Sequence, residues 1–217
     1  IAQTSGSNAN EIIEEVDKVV AEISKSLPKG MELVDLMSSK DFLDASIKNV
    51  IKTLVEAILL VIFVVYVFLQ SMRSTLIPSI SIIVSLIGTF AFLYVAGFSL
   101  NMLPLFALVL VIGTVVDDAI VVVEAVQAKF DEGYKSSYLA TVDAMGGITS
   151  ALITTTFVFM AVFIPVCFIG GTTGTFYTQF GLTMAVAVAI SMVNALTLSP
   201  ALCALIMTPH VIGKGGK

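Results

Sequence analysis

The chain has 217 residues, 57% of them hydrophobic and only 12% charged, with a mean hydropathy of +1.02. Soluble domains run at roughly 45–50% apolar and 25% charged, so composition alone excludes an ordinary soluble domain and indicates a membrane protein. The net charge of −5 is unevenly spread: nine acids and five bases fall in residues 1–50, and no basic patch suggests a nucleic-acid partner.

Residues 1–7 read as the end of an extended segment and a turn, closing on Ser5-Gly6-Ser7. Asn8 or Asn10 is placed to cap a helix running through about Ser26, in which Ile12, Ile13, Val16, Val19, Val20 and Ile23 recur at helical spacing. Acids crowd its first turns, where the helix macrodipole favours them. Pro28-Lys29-Gly30 stops this helix, and Met31 to Met37 alternates like a half-buried strand. One helix and one strand cannot enclose a core, so this stretch reads as the remnant of an α+β domain. The chain opens on Ile1-Ala2-Gln3-Thr4, without a methionine or a basic leader, and ends abruptly on Gly213-Lys-Gly-Gly-Lys217. It is expected to be an internal piece of a longer protein.

Five apolar runs follow, at about 51–69, 76–96, 102–125, 148–168 and 180–207, each close to or above the ~20 residues that cross a bilayer as a helix. The expected fold class is therefore an all-α membrane protein of five transmembrane helices, residues 50–207, preceded by the α+β remnant over 1–49 and followed by a tail over 208–217. Arg73, Lys129, Lys135, Lys214 and Lys217 lie in alternate connections and the tail, whereas the connections 97–101 and 169–178 carry no charge. The positive-inside rule puts the basic connections and the C-terminus in the cytoplasm and residues 1–49 outside. Cys167 and Cys203 then lie at opposite membrane faces and read as small packing residues. Pro104, Pro165 and Pro200 mark helix ends or kinks. Ser79, Ser81, Ser85, Gly88 and Thr89 on the second run suit close helix packing and hydrogen bonds between helices. Thr154 to Thr156, Ser191, Asn194 and Thr197 do the same on the fourth and fifth.

The third run differs from the rest because Asp117 and Asp118 sit deep inside it. An ionisable residue within a membrane helix is a functional-site hypothesis by default, since a carboxylate there costs a few kcal/mol or more. Taken as 102–125, the run has its midpoint near Gly113 and Thr114, which places the acids about 5–7 Å to the cytoplasmic side at 1.5 Å rise per residue. Gly113 precedes Asp117 by four residues and Thr114 precedes Asp118 by four, leaving room for another helix or its cationic side chain. Adjacent helix positions are about 100° apart, so either one partner lies between the two acids or each has its own. Glu124 follows Asp117 by seven residues on the same face, near the cytoplasmic end. No Lys, Arg or His falls within the core of any run. The acids are thus either protonated or neutralised by a cation from outside these 217 residues, and they are expected to form a proton relay or a site for a coupling ion.

These residues carry a family resemblance. Gly113-Thr-Val-Val-Asp-Asp-Ala-Ile-Val-Val-Val-Glu124 resembles the fourth transmembrane helix of resistance-nodulation-division transporters, in their hydrophobe/amphiphile drug-efflux branch. Lys52-Thr-Leu-Val-Glu56, Phe68 to Pro78, Gly170-Gly-Thr-Thr-Gly174 and Leu198-Ser-Pro-Ala-Leu-Cys203 extend the match collinearly over nearly the whole chain. The resemblance implies that the five runs are helices two to six of a twelve-helix protomer in a bacterial inner membrane, with 1–37 the end of a periplasmic porter domain. It implies a proton-driven drug antiporter, not an enzyme, with Asp117 and Asp118 as relay acids, protons as coupling ion and no cofactor or metal. Gly113, Thr114 and Glu124 would support the pair. The implied partners are the second half of the same protomer, which brings a lysine to the acids, a homotrimer, a periplasmic adaptor and an outer-membrane channel. Alone, the segment is not expected to transport. The alternative is a five-helix lipid- or sterol-sensing module, which resembles the same helix set but has no evident use for two buried carboxylates.

Overall fold

The computed structural model describes residues 9–28, 31, 39–98, 102–171 and 174–208. Its regular elements are all α-helices: α1 Ala9–Ser26, α2 Ser39–Leu69, α3 Met72–Val95, α4 Met102–Asp131, α5 Ser137–Val166, α6 Gly174–Leu196 and α7 Leu198–Ile206. No strand occurs among the described residues, so the α+β character expected of the start of the chain is not supported. Its helix forms as α1, while the strand expected over 31–37 and the Asn8 cap fall outside the described residues. The chain divides into two compact units, 1–50 and 51–217.

In the first unit, α1 carries Val19, Val20 and Ile23 on an exposed apolar stripe. The five apolar runs are helices long and apolar enough to cross a membrane, at 45–69, 72–95, 103–131, 137–166 and 176–206. They outlast their apolar cores because a helix ends where its backbone finds a cap, not where hydropathy falls. α4 continues to Asp131 and stops at Gly133, whose φ of 103° suits a residue without Cβ. There the Tyr134 amide turns back to the Lys129 carbonyl at 3.2 Å, and the Gly133 amide to that of Phe130 at 2.9 Å. α5 begins already at Ser137, where the Ser136 hydroxyl accepts the Leu139 amide at 3.5 Å. The basic connection therefore shrinks to 132–136, and Lys129 rides on α4.

The fifth crossing is broken in two. Pro200 brings no N–H to the carbonyl four residues back and its ring clashes there; that residue is Leu196, and α6 ends on it. Thr197 leaves the helical region with φ −124° and ψ −64° before α7 resumes. The two pieces stay together because the Thr197 amide reaches the Asn194 carbonyl at 3.4 Å and its hydroxyl donates to that of Val193.

α4 lies at the centre, in contact with α3, α5, α6 and α7. One cluster of the core joins Leu54 and Val65 of α2, Ile82 and Leu86 of α3, Leu108, Val111, Ile112, Val115 and Val116 of α4, and Met184 and Val188 of α6. A second joins Ile77, Val122, Val126, Ala140, Ala144, Ala195 and Cys203 toward the other end. A helix surrounded on most sides needs apolar residues around most of its circumference, and the Val/Ile-rich sequence of α4 meets that need.

Candidate functional site

α4 has two unlike faces. Leu105, Leu108, Val111, Ile112, Val115, Val116, Ala119, Val122, Val123 and Val126 are buried among its neighbours. Phe106, Leu110, Gly113, Asp117, Val121, Glu124 and Ala128, spaced by three or four residues, form one exposed stripe along the opposite side. Leu110 on that stripe is 62% exposed, although it sits in the middle of an apolar helix. A side chain added at Gly113 would meet nothing within 4 Å. The space beside Gly113 opens away from this bundle.

The two acids part company at the edge of that stripe. Asp117 lies on it, while Asp118, one position on, turns toward α6 and is half-buried. The Ser191 hydroxyl lies 2.7 Å from Asp118 Oδ2 and 3.2 Å from the Val115 carbonyl oxygen, both within donating range. Among the described residues Asp118 has a hydrogen-bond partner inside the bundle, and Asp117 lies on the exposed stripe. Within the helix as it forms, Asp117 is fifteen residues on from Met102 and fourteen short of Asp131, so the acids lie at its middle rather than beyond it. Among the described residues, neither carboxylate has an ion-pair partner. Thr114 is half-buried next to the stripe, and Glu124 lies on it, two turns from Asp117.

Ser191 belonged to a group of small polar residues read as packing contacts, and nothing in its spacing singled it out as the partner of an acid 73 residues away. A second polar contact lies one turn further along α6, where Asn194 Nδ2 donates to Ser85 Oγ of α3 at 2.7 Å. At the end of α4 toward the 132–136 connection, Lys129 Nζ stands 2.9 Å from both Glu132 Oε2 and Asp143 Oδ2, and the Tyr134 hydroxyl donates to Asp143 at 3.1 Å. A cleft of about 450 Å³ between α5 and α7, lined by Tyr138, Met145, Leu196 and Pro200 among others, holds neither relay candidate.

Residues 1–216 match the family model described as the AcrB/AcrD/AcrF family. The chain belongs to that family. The finding agrees with the resemblance to resistance-nodulation-division transporters carried by the Gly113–Glu124 segment. Among curated relatives, the multidrug export protein AcrF of Escherichia coli K12 is 44% identical over 220 residues, covering 100% of this chain and 21% of AcrF. The multidrug resistance protein MdtF of the same strain is 42% identical over 207 residues, or 95% of this chain and 20% of MdtF. The toluene efflux pump membrane transporter TtgE of Pseudomonas putida is 41% identical over 206 residues, or 94% and 19%. The chain thus spans about one fifth of the length of these AcrB/AcrD/AcrF-family relatives. Their names describe export, resistance and efflux pumping, and none describes an enzyme.

Proposed function

We propose that this segment is the proton-coupling part of a bacterial inner-membrane drug/proton antiporter, with Asp117 and Asp118 as the relay. The observation that carries the reading is the split of the acid pair at the middle of α4: one carboxylate held by Ser191, the other on a stripe that is exposed among the described residues. A cation from another segment of the same protomer completes the site from that side. Gly113 gives it room to approach, and Glu124 marks the route toward the cytoplasm.

The chemistry follows from the hydrogen-bond inventory. An ionised Asp118 only accepts, so the single Ser191 proton points at it. A protonated Asp118 carries its own O–H and donates to the Ser191 oxygen, and the Ser191 proton turns to the Val115 carbonyl. Protonation also weakens the pair's hold on the opposing cation. Both changes act on the contact between α4 and its neighbours, and a proton gradient that loads and unloads the pair biases one helix arrangement against the other. The exported substrates, the homotrimer, the periplasmic adaptor and the outer-membrane channel belong to the whole transporter. This segment by itself lacks the completing cation and does not transport.

The test replaces Asp117 and Asp118 singly by Asn in the full-length protein and follows efflux driven by an imposed pH gradient in proteoliposomes. Each substitution is expected to abolish it, and unimpaired efflux in both variants overturns the proposal.

A further inference from the structure

The Asp118–Ser191 contact depends on the height and rotation of α6 against α4, and what fixes these is visible on the adjoining face of α6, since Asn194 and Ile190 lie about 60° and 100° around the helix from Ser191. There α3 touches α6 at two places that bracket Ser191. Ile190 packs at Gly88, where an added Cβ would stand 3.2 Å from Ile190 Cγ2, so a side chain there would have to displace Ile190 by a few tenths of an ångström. Four residues on, Asn194 Nδ2 donates to Ser85 Oγ at 2.7 Å, with Asn194 8% exposed and Ser85 1%. Gly88 and Ser85 are three apart on α3, and Ile190 and Asn194 four apart on α6, so the contacts are successive turns of one antiparallel seam. The apolar contact sets how near the helices come but tolerates sliding and rotation. The hydrogen bond does not, because its donor and acceptor must meet within a few tenths of an ångström.

We infer that Asn194 and Ser85 are positioning residues for the relay: their bond locks α6 in the register at which Ser191 meets Asp118. The inference rests on the relay reading above. Neither residue touches Asp118, and each acts through α6. Packing alone would not require them, since Val or Leu fills such a place without bringing an amide into a membrane interior. The titratable or charged groups on the elements packed against α4 are Arg73 and Tyr94 of α3, Tyr138 and Asp143 of α5, Tyr177 of α6 and Cys203 of α7, in addition to Asp117, Glu124, Lys129 and Asp131 on α4 itself. Among them only Asp117 adjoins Asp118 in the chain.

The experiment uses Asn194→Leu, Ser85→Ala and their combination in the full-length transporter, each normalised to folded protein. Two readouts report on the relay: the pH profile of proton-driven efflux and the carboxyl stretching band of Asp118, assigned as the band that Asp118→Asn removes. Each single variant is expected to displace both and to lower efflux about tenfold or less, with the double variant no worse than either single because one shared bond is lost. Exchanging the partners, Ser85→Asn with Asn194→Ser, is expected to restore the wild-type profile. Reduced yield with an unchanged pH profile and carboxyl band in both single variants overturns the inference, as does strict additivity in the double. If Asp118→Asn itself retains gradient-driven efflux, the relay reading fails; if it loses efflux while Asn194→Leu and Ser85→Ala keep the wild-type profile, only the positioning role fails.

Discussion

At the scale of single residues, the acids of α4 and the polar cluster at its end contrast in what surrounds them. Tyr134 lies outside the apolar spans, and its hydroxyl donates to the Asp143 carboxylate at 3.1 Å. That hydrogen bond, reinforced by the negative charge of Asp143, raises the Tyr134 phenol above its ordinary value near 10. A raised folded-state value means that the contribution to stability is fully present below about pH 10 and is lost as pH climbs through the folded value. Subtracting the phenolate absorbance of a Tyr134→Phe variant from that of the wild type isolates this titration. Its midpoint is expected above that of a free tyrosine, and a midpoint at or below it rules the contact out. Asp117 and Asp118 were legible from the sequence because any carboxylate inside an apolar run stands out. Ser191, Asn194 and Ser85 were legible only as a class. Hydroxyls and amides are common on membrane helices, and which two meet depends on the rotation of helices distant in sequence.

At the scale of elements, glycine shows how closely each pair of helices is seated. A Cβ at Gly181 of α6 would stand 3.0 Å from Cys167 Sγ and 3.0 Å from the Phe163 carbonyl oxygen of α5. Gly181→Ala is therefore expected to push α5 and α6 apart and to cost about 1–3 kcal/mol, whereas Gly113→Ala, with open space around it, leaves the stability of this bundle unchanged. Thermal unfolding of the two variants in detergent separates them, and equal losses would contradict the packing described. The existence of each membrane helix was readable from hydropathy, because apolar side chains and membrane thickness fix that pattern. The ends were not, since α4 and α5 run on through polar residues to Gly133 and from Ser136. Pro200 marks a helix end in the sequence, and the break falls one turn before it, at Leu196 and Thr197, because proline disrupts the preceding turn rather than its own position.

At the scale of the molecule, α4 is covered around most of its circumference, and the stripe it leaves exposed among the described residues is the one that carries Asp117 and Glu124. Its orientation in the membrane rests on the basic residues Arg73, Lys129 and Lys135 against the uncharged connections at 97–101 and 169–178. Single cysteines introduced at Lys135 and at Phe168, in a background where Cys167 and Cys203 are replaced by Ala, test it. A membrane-impermeant maleimide is expected to label Phe168→Cys in intact spheroplasts and Lys135→Cys only in inverted vesicles. The reverse pattern would turn the topology over and move the first unit to the cytoplasm.

The hydrogen bond between Ser191 and Asp118 joins residues 73 positions apart. A ribosome adding about 5–20 residues per second needs roughly 4–15 s to cover that distance. For that interval α4 exists without the hydroxyl that donates to Asp118. Membrane insertion of the acid-bearing helix is thus a step with an order: it is completed by what is synthesised after it, first by α6. A substitution that spoils the α6 seat acts twice, once on the finished bundle and once earlier, on the helix still waiting at the insertion machinery.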